Sequence, residues 1–147
     1  MSRYQSKLDA VFRQRKRHEE DVQEEFLEMK HSLDAAEDQL RRLHKELEAA
    51  LHDFSEQQGK GMAPGEMDLY YRFLKQQYDR LEERRTAVQR LTDQCDRKRQ
   101  DLLEATREKK VVEKIESDRK EAYLKDLRKK EQNLLDELGG RPKRKSP

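Results

Sequence analysis

Along the first part of the chain, apolar residues recur at alternating steps of four and three. Val22, Phe26, Met29, Leu33, Ala36, Leu40, Leu43, Leu47, Ala50 and Phe54 are all apolar. A stripe kept up over more than about four heptads predicts the seam of a coiled coil. Continued toward the N-terminus, the stripe gives His18, Arg15, Val11, Leu8 and Tyr4, with a basic interruption at Arg15 and His18. Ser2, with Gln5 three residues on, suits a capping box that satisfies free N–H groups of a first helical turn.

A second stripe starts at Leu74 and runs through Gln77, Leu81, Arg84, Val88, Leu91, Cys95, Lys98, Leu102, Ala105, Lys109 and Val112. Its polar members are Gln77, Arg84, Lys98 and Lys109, so this seam is poorer than the first. Beyond Val112 the phase slips, because Ile115, Tyr123, Leu127, Leu134 and Leu138 fit no single register. An inserted four-residue step has this effect and locally unwinds a supercoil.

Glycine and proline, the residues a helix interior tolerates least, fall in only two places. Gly59, Gly61, Pro64 and Gly65 form one cluster; Gly139, Gly140, Pro142 and Pro147 form the other. The pattern predicts an all-α fold of two long helices forming an antiparallel coiled-coil hairpin, the second helix longer. Helix 1 spans about 2–58, the turn 59–65, helix 2 about 66–138 and a flexible basic tail 139–147, with Pro64 or Asp68 starting helix 2. So short a turn requires antiparallel neighbours, and with residue 58 opposite 66 the partners' numbers add to about 124. Tyr4 then faces the neighbourhood of Lys120. The paired part is roughly 80 Å long, and about 18 residues of helix 2 project by roughly 27 Å. That overhang carries Ala122, Tyr123, Leu124, Leu127, Leu134, Leu135 and Leu138 without an intramolecular partner, which implies another protein.

Composition narrows the field. Of the 147 residues 45% are charged and 32% hydrophobic, with no Trp, so a multi-layer core cannot be filled. The net charge is +2 from interspersed signs, which implies no nucleic-acid partner. The single cysteine, Cys95, fits a reducing compartment and falls in seam phase, as a buried structural thiol does. No apolar run approaches the roughly 20 residues of a membrane span, and no secretory signal opens the chain, so the protein is expected to be cytosolic. Pairs four apart, such as Glu37–Arg41, Asp38–Arg42, Glu116–Lys120 and Glu121–Lys125, add only a few tenths of a kcal/mol each, about 0.3.

Candidate chemistry is sparse. The 59–65 glycines lack the Gly-Lys-Ser/Thr ending of a phosphate loop and read as a turn. Glu28 and His31 have the spacing of a di-iron motif but lack the second copy and further ligands, and read as a solvated face. Two helices form no catalytic cleft, so no enzyme activity, cofactor or metal is expected. The basic run Arg141–Lys145 reads as a solvated tail, with weak attraction to an anionic surface as the alternative. Near the turn, Leu69-Tyr70-Tyr71-Arg72-Phe73-Leu74 and Tyr78 concentrate aromatics. Tyr70 and Leu74 fit the seam, whereas Phe73 flanks it and is available as a docking anchor.

The chain resembles the FliJ family, the small coiled-coil component of the flagellar type III export apparatus. Three stretches carry the resemblance: Leu8-x-x-Val11-x-x-x-Arg15 followed by Glu19-Glu20; Gly61 leading to Tyr70-x-x-Phe73-Leu74; and Leu103-Glu104-Ala105-x-Arg107-Glu108-Lys109 with Glu131-Gln132-x-x-x-Asp136-Glu137. The resemblance implies a stalk that docks in the hexameric flagellar export ATPase, contacts the export gate protein and handles export chaperones. It implies a monomer when free, cytoplasmic and peripheral at the inner membrane through its partners. The family's gate-contact surface, carried over, falls on Phe73, Gln77, Arg80 and Arg84; only Phe73 is aromatic there. On the overhang, Tyr123, Leu124, Leu127, Leu134 and Leu138 are the candidates for meeting the ATPase ring. Near Arg15, Lys109 and His18 the seam is basic, and facing like charges would loosen that end. Alternatives are the equivalent stalk of a virulence secretion system, a generic structural or adaptor coiled coil, perhaps a homodimer of hairpins, and a hairpin holdase.

Overall fold

A computed structural model describes residues 7–144, with side chains to 139. Two helices account for nearly all of it: α1, Asp9–Lys60, of 52 residues, and α2, Pro64–Arg144, of 81 residues. Helix α2 is the longer, as the apolar pattern predicts. Helix α1 begins later than residue 2, because Lys7 and Leu8 form a turn and the Leu8 carbonyl accepts the first helical N–H, from Phe12, at 2.7 Å. The capping pair Ser2 and Gln5, and Tyr4, lie outside the described residues.

The connection is tighter than the seven residues expected. Gly59 and Lys60 remain helical, leaving only Gly61, Met62 and Ala63 between the helices. Gly61 alone among the described residues takes a positive φ, +91°, a backbone conformation that residues with a β-carbon rarely adopt. Its N–H returns to the Gln58 carbonyl at 3.1 Å. Ala63 caps α2, its carbonyl accepting from Glu66 and Met67 at 3.0 and 3.1 Å. Pro64 follows as the first helical residue, where its missing N–H has no bond to lose. At the other end α2 runs on through Gly139 and Gly140 to Arg144, past the stop expected at 138. A glycine in a helix costs about 1 kcal/mol, which weakens the helix without ending it.

The chain divides into two compact units. The first, Val22–Leu102, contains the turn. Here α1 and α2 lie antiparallel, residue n of α1 meeting a residue near 124 − n of α2: Tyr70 bonds Asp53, Arg84 bonds Gln39 and Lys98 bonds Glu25. This is the register the turn predicts. Leu43, Leu47, Phe54, Leu74 and Leu81 form the core, with Leu40, Ala50, Met62 and Tyr70 packed against it. Burying each of the large apolar side chains contributes roughly 1.5–3 kcal/mol. All ten expected seam residues of α1, Val22 to Phe54, are buried or half-buried, and the residues between them are exposed. Cys95 is buried, as its seam position predicts.

The second unit joins the start of α1, to Asp21, with α2 from Leu103 onward. Among its described residues Ala105 is the one buried hydrophobic side chain. Val11 and Phe12 are half-buried, but so are Glu19, Lys109 and Glu116. Two expectations fail here. His18 is exposed and Glu19 takes the inward place, because three residues, not four, separate Val22 from the preceding seam position. The phase of α2 does not slip after Val112 either. Val112, Glu116 and Tyr123 keep the four-three step, while Ile115 is exposed. The apolar residues leave the seam; the seam itself does not shift.

Candidate functional site

The turn-containing unit presents an aromatic surface. Phe54 is its anchor, with its ring 5.2 Å from that of Tyr70 and 5.4 Å, edge-on, from that of Tyr71. The Tyr70 hydroxyl donates to Asp53 Oδ2 at 2.9 Å, which pushes the Tyr70 pKa up because ionisation would break that bond beside a carboxylate. Phe73, 44% exposed, stands one helical turn from the still more exposed Leu69. Together with Tyr70 they line a shallow apolar depression. Leu69 is the residue sequence reasoning leaves out of the site, although its four-residue spacing from Phe73 is the signal that would have found it.

Phe73 and Arg80 flank the α2 seam, whereas Gln77 and Arg84 occupy seam positions. Gln77 is half-buried, and its Oε1 is enclosed without a hydrogen-bond partner. Arg80 and Arg84 lie farther along, both exposed, and line a polar groove with Gln39, Arg42, Leu43 and Glu46. Arg84 Nη1 donates to Gln39 Oε1 at 2.8 Å, so this seam position is bridged from outside instead of filled. The four residues therefore divide into one exposed aromatic, one inward amide and two exposed guanidiniums.

On α2 beyond residue 120, Leu124, Leu127, Leu134, Leu135 and Leu138 are exposed. Tyr123 differs from them. It is half-buried and has interactions of its own, so it belongs to the internal seam and not to the exposed stripe.

The basic seam expected at Arg15 and Lys109 is not a seam of facing like charges. Arg15 Nη1 pairs with Glu108 Oε2 at 2.8 Å, and Lys109 Nζ with Glu19 Oε1 at 2.9 Å. Each cation reaches the other helix and meets a carboxylate, so this end is clasped. The Glu19–Lys109 pair is the more enclosed, its side chains 15% and 23% exposed. Hydrogen bonds from Lys109 and then Thr106 hold the Glu19 carboxyl below the usual carboxylate range, and the same contact raises Lys109. Within α1, Arg41 pairs with Asp38, three residues away, where Glu37 was expected.

Among the described residues no group of three or more His, Cys, Asp or Glu is placed to hold a metal, and no helix is long and apolar enough to cross a membrane. Glu28 and His31 are exposed.

Two long antiparallel helices with charges paired across the seam and aromatic and leucine side chains left in the open define a class: coiled-coil hairpin proteins. The chain belongs to the FliJ family, since the family model described as Flagellar FliJ protein matches residues 4–146. This is a family of non-catalytic accessory proteins associated with flagellar export. Comparison with curated proteins and with solved structures found no match.

Proposed function

We propose that this chain is a coiled-coil stalk and accessory chaperone of the flagellar type III export apparatus. It docks in the export ATPase ring through the distal part of α2 and meets the export gate through the Phe73 flank. The observation that carries this reading is the leucine stripe of α2, left exposed at Leu127, Leu134 and Leu138 in a chain of the FliJ family. Exposed apolar stripes at helical spacing are made to be covered. At the gate-facing end, Phe73 is the anchor, with Arg80 and Arg84 beside it as polar contacts. Gln77 faces inward and acts through packing.

The test uses the full chain carrying Leu134→Asp and Leu138→Asp. Phosphate release by the export ATPase should lose its stimulation while helix content by circular dichroism stays unchanged; stimulation equal to that of the unaltered chain refutes the docking. In a pull-down, Phe73→Ala should lose the gate protein and keep the ATPase. Loss of both or of neither would remove the two-ended arrangement.

A further inference from the structure

The stripe on distal α2 is not an extension of the seam that packs against α1. Seam positions in this unit are Ala105, Lys109, Val112, Glu116 and Tyr123. Leu124, Leu127, Leu134 and Leu138 repeat with the same alternation but one residue later, Glu131 filling the remaining place. One residue turns a helix by about 100°, so the stripe points sideways from the direction in which α2 meets α1. Leu134 and Leu138 are 57% and 60% exposed, and Leu135 on their flank is 61% exposed. Such a stripe is the complement of another helix.

Charge identifies that helix. Lys125, Arg128, Lys129 and Lys130 make the first half of the stripe basic, while Glu131, Asp136 and Glu137 make the second half acidic. Asp126 is the exception, and it is held within the helix by Lys130 at 3.2 Å. We propose that the occupant is a second copy of this chain, lying antiparallel along the same stripe. With Leu127 of one copy opposite Leu138 of the other, Leu134 meets Glu131, and Lys130 of each copy comes beside Glu137 of the other. The two-fold axis makes every such contact twice and closes the pair, so no filament follows. A parallel overlap sets basic half on basic half, which like-charge repulsion disfavours. Glu131, a carboxylate among inner leucine positions, fixes the overlap and keeps the association weak. Under the proposed function the same leucines meet the ATPase, so self-association keeps them covered until the ring displaces it. The dimer itself does not depend on that reading. The free chain is then in equilibrium between monomer and dimer, not the lone monomer expected of a stalk.

Sedimentation equilibrium of the full chain from about 1 to 200 μM tests this, with a dimer Kd expected at about 10–100 μM. Lys130→Glu and Glu137→Lys should each weaken the dimer about fivefold or more, and the two changes combined in one chain should restore it. Glu131→Leu should tighten it at least about tenfold. The proposal is overturned if the chain and Glu131→Leu are both monomeric throughout. A dimer indifferent to the single charge reversals, or one that the combined reversal fails to restore, overturns it as well.

Discussion

Between Val22 and Leu102 the two helices meet across leucine and phenylalanine. In the unit that joins the start of α1 to α2 beyond Leu103 two ion pairs cross between the helices, beside one buried alanine and a few half-buried apolar residues such as Val11, Phe12 and Val112. The heptad geometry is the same in both, yet the forces differ in kind. Apolar burial is indifferent to pH and is strengthened or untouched by moderate salt, and each side chain contributes roughly 1.5–3 kcal/mol. Ion pairs of partial exposure contribute about 0–1 kcal/mol, and salt screens them. One pattern of spacing therefore produces a firm unit and a conditional one.

The largest effect belongs to the firm unit. Leu47 is 3% exposed within the core, so Leu47→Ala should cost about 2–5 kcal/mol in thermal or urea unfolding. A loss well below that range would mean the core collapses around the gap and the contrast is overstated.

Next comes the turn. A β-carbon at Gly61 would meet nothing within 4 Å, so Gly61→Ala strains only the backbone at φ +91° and should cost about 1–2 kcal/mol. Circular dichroism melts should show this as a shift of the whole transition. No shift would show that the connection relaxes to a negative φ without cost.

The smallest effect, and the most selective, is at the clasp. Glu19→Gln should speed amide exchange around Val11–Glu19 while leaving exchange around Leu43–Phe54 unchanged. Because the Glu19 pKa is lowered on folding, its contribution is present above the ordinary glutamate pKa and is lost as pH falls through the depressed value. Lys109 is shifted the opposite way. Its contribution is complete below the ordinary lysine pKa and is lost as pH rises through the raised value. Protection in the clasped unit, taken as the exchange rate relative to that of an unfolded peptide at the same pH, should therefore fall at acid and at strongly alkaline pH, with a plateau between. A uniform pH response in both units would erase the distinction between them.

How much of this was legible in the sequence follows the same division. Where the seam is apolar, from Val22 to Phe54 and around Leu74 and Leu81, spacing marks the inward residues and the turn sets the register. Where the seam is ionic, hydropathy has nothing to follow. Glu19 and Glu116 sit inward although nothing in their polarity suggests it, while Ile115 points outward although it is apolar. Stepping four residues back from Val22 gives His18 where three give Glu19, and taking apolar residues as seam residues gives a slipped phase for a continuous one. At the Phe73 surface the aromatics announce themselves by composition. The inward turn of Gln77 and the reach of Arg84 to Gln39 depend on packing that composition does not encode.

The three-residue connection at Gly61–Ala63 also sets a timetable. A ribosome finishes α1 before any of its partner exists. The first segments of α2 to emerge bring Tyr70, Leu74 and Leu81, which meet Phe54, Leu47 and Leu43 across the smallest loops and so at the least entropic cost. Glu108 and Lys109 emerge later and find Arg15 and Glu19 last. Synthesis order and loop size thus favour the same sequence of closure, from the apolar contacts nearest the turn outward. The contacts formed last during synthesis are the ones that depend most on charge.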